Sequence, residues 1–287
     1  MKAADVGKVG VVGCGVMGAG IVEVCARAGL DVLYVEAGPD LVERGRSRIE
    51  ASILRAVERG KLSEGQREEE LGRIAGTTSI EDLADRDLVI EAATEHSDTK
   101  REVFRRLDEV TGLEVILASN TSSIPIVDLA AATKRPELVV GLHFFNPVPV
   151  MGLIEVVKAI TTSDETVEFA RAFGVVLGKT TVLSKDRAGF IVNMLLIPYL
   201  NGAVRMLDEG FATREDIDTA INLGLAHPMG PLQLLDLIGL DTAVYVANVL
   251  FDEFKEPLFA PPPLLKRMVA AGRLGRKAGR GFYEYGD

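Results

Sequence analysis

The fold is decided by the stretch KVGVVGCGVMG, residues 8–18, an apolar run that leads into three spaced glycines. Apolar positions then recur at helical spacing over residues 17–28, and residues 31–36 have the composition of a second strand. A strand, a tight glycine turn, a helix and a further strand make up the βαβ module of a parallel sheet. The sequence therefore begins with the unit from which open α/β sheets are built.

The spacing of the glycines predicts a dinucleotide site. Gly13 allows a tight turn, Gly15 lets the backbone approach a pyrophosphate, and Gly18 lets the helix pack closely on the strand. The helix offers free N–H groups and a partial positive charge to the phosphates. Glu36 ends the second strand, where a carboxylate accepts hydrogen bonds from ribose hydroxyls. Its charge repels a 2′-phosphate and no Arg or Lys directly follows it, so the cofactor predicted is NAD. An ordinary strand-to-helix turn is the disfavoured alternative.

The pattern of strands and helices changes near residue 186. Before it, apolar strand candidates alternate with amphipathic helices, which is typical of a sheet covered on both faces. After it, helical patterning continues almost to residue 280. We predict an α/β fold, with a Rossmann-type doubly wound sheet in residues 1–186 and a smaller all-helical domain in residues 187–287. The later strand candidates are residues 88–92, 115–118, 138–143, 153–157 and 180–183. The helix candidates are residues 39–60, 64–74, 97–110, 124–131, a helix starting at 164, and 190–208, 213–223, 231–254 and 263–271.

The overall charge excludes several classes of partner. The 287 residues include 32 Lys and Arg against 42 Asp and Glu, a net charge of −10. An acidic chain disfavours non-specific binding to nucleic acid or to an anionic membrane. No apolar run approaches the roughly 20 residues of a membrane span, and the first residues lack the charged-then-apolar pattern of a secretory leader. We expect a soluble, cytoplasmic protein with neither nucleic acid nor membrane as partner.

Cysteines and histidines give no sign of a metal or a disulfide. Cys14 and Cys25 lie in the predicted turn and helix, outside any CxxC pair, and we expect them to be buried free thiols. The three histidines are far apart and have no ligand-like spacing with the cysteines. The sequence therefore predicts no metal site.

The carboxyl ends of two strand candidates supply residues for catalysis. The segment ASNTSS, residues 118–123, ends one strand and His143 ends the next, and ligands bind at the carboxyl ends of strands in open α/β sheets. Glu155 lies beyond a turn, on a strand that can run back beside His143. An imidazole bonded to a carboxylate suits proton acceptance from an alcohol as hydride leaves. A structural histidine, and Ser and Thr residues that cap the next helix, are the alternatives.

Together the motifs resemble the 3-hydroxyacyl-CoA dehydrogenase family over essentially the whole chain, especially its short bacterial members that act on 3-hydroxybutyryl-CoA. The strings that carry the resemblance are GCGVMGAGI (13–21), DLVIEAATE (87–95), ASNTSS (118–123), GLHFFNPVPVM (141–151), AGFIVN (188–193), HPMGPLQLLDLIGLD (227–241) and GRGFYEY (279–285). The resemblance implies an NAD-dependent oxidoreductase of fatty acid and butanoate metabolism. It would interconvert (S)-3-hydroxyacyl-CoA, with 3-hydroxybutyryl-CoA as the expected substrate, and 3-ketoacyl-CoA.

The resemblance also implies roles for single residues. His143 is the implied acid/base and Glu155 its orienting partner, while Ser122 and Asn193 bind the substrate and hold its 3-oxygen. The remaining cofactor residues implied are Glu95, Lys100, Asn146 and Lys277, and the coenzyme A residues implied are Ser52 and Arg59. The alternative for Glu95 and Lys100 is an ordinary surface ion pair.

Two other functions and one assembly state complete the expectations. The function alternatives are an NAD-dependent dehydrogenase of a free β-hydroxyacid or sugar acid, and a dinucleotide-binding protein without catalysis. The apolar helices exceed what a bundle of about 100 residues needs for its own core, so we predict a homodimer.

Overall fold

The computed structural model describes residues 2–286, which fall into two compact units. The first unit runs through Arg187 and the second begins at Ala188, whereas the sequence analysis places the boundary between residues 186 and 187. The first unit combines a sheet with helices, and the second is built from helices. The predicted fold class, an α/β domain followed by a helical one, is confirmed.

The first unit is built on an eight-stranded sheet. Its strands are β1 (Lys8–Val12), β2 (Asp31–Val35), β3 (Ile74–Thr77), β4 (Leu88–Glu91), β5 (Ile116–Ser119), β6 (Val139–Phe144), β7 (Leu153–Lys158) and β8 (Thr180–Lys185). They lie in the order β3-β2-β1-β4-β5-β6-β7-β8, and among the described strands only β6 and β7 pair antiparallel. The order 3-2-1-4-5-6 is that of the Rossmann fold, whose ligand crevice opens at the reversal between β1 and β4.

Helices connect these strands, and their ends follow local sequence signals. They are α1 (Val16–Arg27), α2 (Pro39–Glu58), α3 (Glu64–Gly72), α4 (Ser97–Val110), α5 (Ile126–Ala130) and α6 (Asp164–Val176). Pro39 opens α2, a position where its missing N–H costs nothing. Ser63 and Ser163 cap α3 and α6 by accepting hydrogen bonds from backbone N–H groups of the first turn.

The core of the first unit lies between the sheet and its helices. Every residue of β4, β5 and β6 is buried, as expected for strands covered on both faces. Cys14 and Cys25 belong to this core as buried free thiols, which confirms the prediction for them. Burial raises the pKa of each thiol to about 12, so both stay protonated at neutral pH.

The second unit packs its helices around its own apolar clusters. Its helices are α7 (Val192–Asp208), α8 (Arg214–Gly224), α9 (Pro231–Ile238), α10 (Leu240–Phe254) and α11 (Pro263–Ala270). Thr213 caps α8 by accepting a hydrogen bond from Asp216 N, as its sequence pattern indicates. Leu232 and Leu235 of α9 are fully buried in the larger cluster.

Two elements differ from their prediction. The sequence continues a helix to residue 74, but Ile74–Thr77 forms strand β3. This strand lies at the sheet edge and buries one of its four residues, so it lacks the apolar run that marks the other strands. The sequence also predicts one helix over residues 231–254. Gly239 divides it, because its φ of 100° is incompatible with an α-helix.

The helices on either side of Gly239 also bear on membrane insertion. Within residues 2–286 no single helix has the length and hydropathy of a membrane span, although α9 and α10 together meet the test across a 97° bend.

Candidate active site

The glycine turn between β1 and α1 is closed on one side and open on the other. Gly13 has a φ of 91°, and a Cβ there would lie 2.7 Å from the Ala92 carbonyl oxygen. A Cβ on Gly18 would lie 1.9 Å from the Gly13 carbonyl oxygen. A Cβ on Gly15 would meet nothing within 4 Å. The turn therefore excludes side chains where it packs on the protein, and leaves the Gly15 backbone open to a ligand beside the start of α1.

A groove of about 810 Å³ lies beside this turn. Gly13, Gly15 and Glu36 line it, and Glu36 Oε1 accepts a hydrogen bond from Cys14 N at 2.6 Å. The carboxylate is thus fixed at the groove wall, at the end of the second strand. An open glycine backbone, a helix N-terminus and a carboxylate acceptor in one groove fit the pyrophosphate and the ribose hydroxyls of NAD.

Arg48 is a groove residue that the sequence analysis missed. It lies on α2, lines the same groove, and its Nη1 donates to the Cys14 carbonyl oxygen at 3.4 Å. No Arg or Lys directly follows Glu36, but Arg48 reaches the turn from a helix position 12 residues later. No local sequence signal marks it, because its place at the turn depends on how α2 packs beside β1 and α1.

His143 and Glu155 form a buried pair on neighbouring strands. They lie directly opposite each other in the antiparallel register of β6 and β7, so their side chains share one face of the sheet. His143 Nδ1 lies 2.7 Å from Glu155 Oε2, and the two side chains are 8% and 0% exposed. A carboxylate at Nδ1 fixes the tautomer and orientation of the ring and stabilises its protonated form. The geometry is that of an oriented general acid/base.

The segment after β5 carries hydroxyl groups to the same end of the sheet. Asn120 Oδ1 accepts a hydrogen bond from Phe144 N at 3.0 Å, which ties the segment to the strand that bears His143. Thr121 Oγ1 accepts from Ile124 N at 2.9 Å, which fixes the loop before α5. The N-cap of α5 is Pro125, which makes no side-chain cap, so Thr121 does not have the capping role that was the alternative. Ser122 is half-buried, and within residues 2–286 its hydroxyl has no protein hydrogen bond.

Glu95 and Lys100 are not a surface pair. The Lys100 side chain is 1% exposed, and its Nζ lies 3.3 Å from Glu95 Oε2 and 2.6 Å from Glu91 Oε1. Burial raises the pKa of Glu95, but Lys100 and the hydroxyls of Thr121 and Ser123 outweigh burial and hold this pKa below its ordinary range. The sequence analysis missed Glu91, because an acid at the end of an apolar strand has no spacing that marks it.

Residues implied for coenzyme A lie on α2 and at its C-cap. Ser52 lines a cavity of about 360 Å³ together with Arg48, Arg55 and Asn146. Asn146 is exposed and forms a cis peptide bond with the proline that follows it. Arg59 is exposed at the C-cap of α2 and is not among the residues that line this cavity. The structure thus places Arg55, not predicted from the sequence, beside Ser52.

Two implied site residues belong to the second unit. Asn193 is the second residue of α7 and is half-buried. Lys277 forms an ion pair with Asp241, with 2.6 Å between Nζ and Oδ1.

Comparison with known proteins identifies the family. Residues 8–187 match the model for the NAD binding domain of 3-hydroxyacyl-CoA dehydrogenase, and residues 189–285 match the model for its C-terminal domain. The chain belongs to the 3-hydroxyacyl-CoA dehydrogenase family. A relative from Mycobacterium tuberculosis strain H37Rv, a 3-hydroxybutyryl-CoA dehydrogenase, is 55% identical over 283 residues, which are 97% of this chain and 98% of that protein. A 3-hydroxybutyryl-CoA dehydrogenase from Bradyrhizobium diazoefficiens is 46% identical over 99% of this chain and 97% of its own length.

Two solved structures superpose on nearly the full length of this chain. The (S)-3-hydroxybutyryl-CoA dehydrogenase PaaH1 from Ralstonia eutropha superposes with a TM-score of 0.93 at 46% identity, covering 99% of this chain and 100% of that one. FadB2 of M. tuberculosis superposes with a TM-score of 0.96 at 53% identity, covering 98% of this chain and 99% of that one. The predicted family, enzyme class and cofactor NAD are confirmed, while the roles of the individual site residues stay predictions.

Proposed function

We propose that this dehydrogenase interconverts (S)-3-hydroxybutyryl-CoA and acetoacetyl-CoA with NAD, and that His143 and Glu155 perform its acid/base chemistry. The observation that carries the proposal is the 2.7 Å contact between His143 Nδ1 and Glu155 Oε2 at the carboxyl end of the sheet. The substrate class follows from the family, and butyryl length follows from relatives that act on 3-hydroxybutyryl-CoA. NAD⁺, when bound, accepts the hydride that leaves substrate C3.

In the oxidation His143 takes the proton of the substrate 3-hydroxyl group. Because Nδ1 is hydrogen-bonded to Glu155, the proton arrives at Nε2 and the ring becomes an imidazolium. The electron pair of the breaking O–H bond forms the carbonyl π bond as C3 loses its hydrogen with two electrons. Glu155 stabilises the cationic ring, and in the reverse direction the same imidazolium returns the proton.

Ser122 and Asn193 hold the 3-oxygen in this proposal. Ser122 follows β5, the strand that pairs with the strand of His143. Its backbone N–H donates to Glu95 Oε1 at 3.1 Å, and this hydrogen bond fixes the loop. Asn193 is assigned by the family resemblance, from its place at the start of α7. Positioning of the reacting oxygen by these groups complements proton transfer by His143.

Cofactor contacts are proposed for both units. Gly15 would receive the pyrophosphate at the turn that Gly13 and Gly18 allow, and Glu36 would bind the adenosine ribose, since Gly15 and Glu36 line the groove. Glu95, Lys100, Asn146 and Lys277 are assigned to the nicotinamide half by the family resemblance. The three protein acceptors around Lys100 Nζ favour an indirect role for that residue.

Ser52 and Arg59 are proposed for coenzyme A on the family resemblance, with Ser52 on α2 and Arg59 at its C-cap. Arg48 and Arg55 strengthen the proposal, because they bring two cations to the cavity that Ser52 lines. A thioester with an anionic nucleotide end complements such a cavity, whereas a free β-hydroxyacid has no group that extends to it.

The roles of the two units and the oligomeric state are also proposed. The first unit would bind NAD, and the second would contribute to substrate binding and to a homodimer. Large apolar side chains of the second unit are solvent-exposed, among them Leu195 at 71%, Phe211 at 78% and Leu223 at 77%. Burial of such residues in a symmetric interface would favour association. Sedimentation as a single-chain species at micromolar concentration would contradict the dimer. A cytoplasmic location is proposed with it.

The proposed function is tested by following NADH absorbance with acetoacetyl-CoA. We expect turnover with this thioester, slower turnover with NADPH, and no turnover with free acetoacetate. Activity with the free acid at a comparable kcat/KM would favour the β-hydroxyacid alternative. Absence of any thioester-dependent signal, with NADH binding retained, would favour a dinucleotide-binding protein without catalysis.

A further inference from the structure

A buried chain of charges lies beneath the loop that carries Ser122. Glu91 ends β4 and is 0% exposed, and Lys100 of α4 is 1% exposed. Lys100 Nζ lies 2.6 Å from Glu91 Oε1, 3.3 Å from Glu95 Oε2 and 3.3 Å from the Ala93 carbonyl oxygen. These three acceptors match the three protons of the ammonium group.

Glu91 reaches the loop after β5 from two sides. On one side its Oε2 accepts from Ser119 Oγ at 2.6 Å, and Ser119 Oγ in turn accepts from Thr121 N at 3.2 Å. On the other side Glu91 holds Lys100, and Lys100 holds Glu95. Both routes end on backbone N–H groups next to or at Ser122.

Glu95 is the group that fastens the loop. Its Oε1 accepts from the Thr121 hydroxyl, from Ser122 N at 3.1 Å and from Ser123 Oγ at 3.0 Å. A carboxylate with these donors on one oxygen and an ammonium on the other has a defined orientation. Loss of the negative charge of Glu91 would draw the Lys100 ammonium group toward Glu95, and Glu95 would shift away from the loop.

The energetics of this arrangement favour a role beyond stability. Burying two charges carries a desolvation penalty that their attraction often only balances, and apolar side chains frequently replace such pairs without loss of stability. The pair lies at the carboxyl ends of β4 and β5, where ligands bind in this fold.

We infer that Glu91 is a positioning residue of the dehydrogenase, which sets the place of the Ser122 hydroxyl through Lys100, Glu95 and Ser119. This inference rests on the proposed contact between Ser122 and the substrate 3-oxygen. Glu91 itself touches neither substrate nor cofactor in this account. Its charge fixes a loop whose hydroxyl must meet a reacting oxygen.

The effect expected for Glu91→Gln is a loss of kcat. Glutamine keeps the size and one acceptor oxygen but removes the charge that opposes Lys100. A misplacement of about 1 Å at a reacting group costs on the order of 100-fold in rate, so we expect kcat to fall about 10- to 100-fold. Glu91 Oε1 also accepts from Ala93 N at 2.6 Å, and Ala93 lines the groove beside Gly15, so the KM for NADH should rise as well. We expect that rise to be smaller than the loss of kcat, since Gly15 and Glu36, the proposed pyrophosphate and ribose contacts, lie on other elements.

A double-mutant cycle with Ser122→Ala separates positioning from general damage. If Glu91 acts through Ser122, Glu91→Gln costs less than about threefold in kcat once Ser122 is alanine, because effects on one interaction are not additive. A cost of the same size in both backgrounds would overturn the inference. Ser119→Ala, which keeps all charges, is the milder second variant, and its kcat loss should likewise disappear in the Ser122→Ala background.

The matched control is a second buried ion pair of the same unit. Arg135 Nε lies 3.0 Å from Asp108 Oδ1, with the two side chains 4% and 6% exposed. Asp108→Asn should lower the unfolding temperature as Glu91→Gln does, but leave kcat within twofold. Equal kcat losses in both variants would show that any buried pair has this effect, and would overturn the inference.

Wild-type turnover of acetoacetyl-CoA is measured first in this series. Absence of that activity overturns the proposed function and the inference with it. A normal wild-type rate together with an unchanged kcat in the folded Glu91→Gln enzyme overturns the inference alone.

Discussion

Both units of the molecule bury carboxylates, but they surround them with different partners. In the first unit Glu91 and Glu155 lie beside Lys100 and His143, side chains that carry or acquire a positive charge. In the second unit the partners of the buried carboxylates are backbone N–H groups and tyrosine hydroxyls. The carboxylates of both units are almost fully buried, so burial alone does not distinguish a functional carboxylate from a structural one.

The carboxylates of the second unit fasten segments of chain. Asp218 accepts from Leu232 N at 2.8 Å and thereby holds the start of α9. Asp236 accepts from Phe282 N at 2.8 Å and Tyr283 N at 2.9 Å, which holds the last described segment against that helix. A carboxylate that accepts only neutral donors stabilises the backbone, whereas one beside an imidazole controls where a proton resides.

Replacement of His143 is the strongest way to test this contrast. His143→Gln keeps a polar side chain of similar size opposite Glu155 but cannot accept the substrate proton. We expect kcat to fall about 10²- to 10⁴-fold, the usual contribution of a general acid/base, while NADH binding persists. Steady-state assays of NADH absorbance give kcat, and fluorescence titration gives the NADH affinity. A folded variant with wild-type turnover would remove His143 from the mechanism.

Replacement of Asp236 should have the opposite signature. Asp236→Asn places an amide among backbone donors in a site that is 1% exposed. We expect the free energy of unfolding to fall by about 3 kcal/mol, since hydrogen bonds to a buried charge are lost. The kcat of the folded fraction should stay within about threefold. Urea unfolding and an active-enzyme titration measure the two effects, and a selective loss of kcat would contradict the scaffold role.

Replacement of Glu36 tests whether a half-buried carboxylate that lines the groove binds the cofactor directly. Glu36→Ala removes the acceptor for the ribose hydroxyls and the repulsion of a 2′-phosphate, while Arg48 remains in the groove. We expect kcat/KM for NADH to fall about tenfold, equal to about 1.4 kcal/mol, and that for NADPH to fall less. Parallel kinetics with the two cofactors check this. Equal losses with both would contradict discrimination by Glu36.

Glu95 lies between the two classes and should show a pH-dependent contribution to stability. Its folded-state pKa lies below the unfolded value of about 4.3, so its stabilisation is present above that pH and is lost as pH falls through the folded pKa. Glu95→Gln should lower the free energy of unfolding by about 1 kcal/mol at pH 7, and the difference from wild type should shrink below about pH 4. Urea titrations across this range measure it. The control is the exposed Glu109→Gln, which should change little at any pH, and a constant deficit in Glu95→Gln would contradict the expectation.

Much of the fold was predictable from local signals. The helix over residues 97–110 was predicted with its observed bounds, because an amphipathic repeat and a polar start define it. Strand β3 was not predicted, because an edge strand with one buried residue and a glycine has no apolar pattern. The break at Gly239 was also missed, since only its backbone angle shows that the helical pattern is interrupted.

The site was predictable where chemistry and spacing coincide. The three glycines and Glu36 follow from a spaced motif, and His143 with Glu155 from a turn between two strand candidates. Glu91, Arg48 and the burial of Lys100 did not follow, because each depends on which elements lie side by side. Local sequence contains no information on the partner of a side chain that a distant element supplies.

The pairing of His143 with Glu155 has a consequence for how this enzyme can vary. The two residues are register partners in a buried ladder, so hydrogen bonds of the backbone keep their separation. The connection between them contains Asn146, a proposed cofactor contact, and Val148, which packs in the core of the unit, but the ladder and not this connection sets the separation of the pair. The geometry of the proton-transfer pair therefore depends on the two strands and not on the loop that precedes β7. A shift of one residue between the strands would turn one of the two side chains to the opposite face and abolish the pair at once.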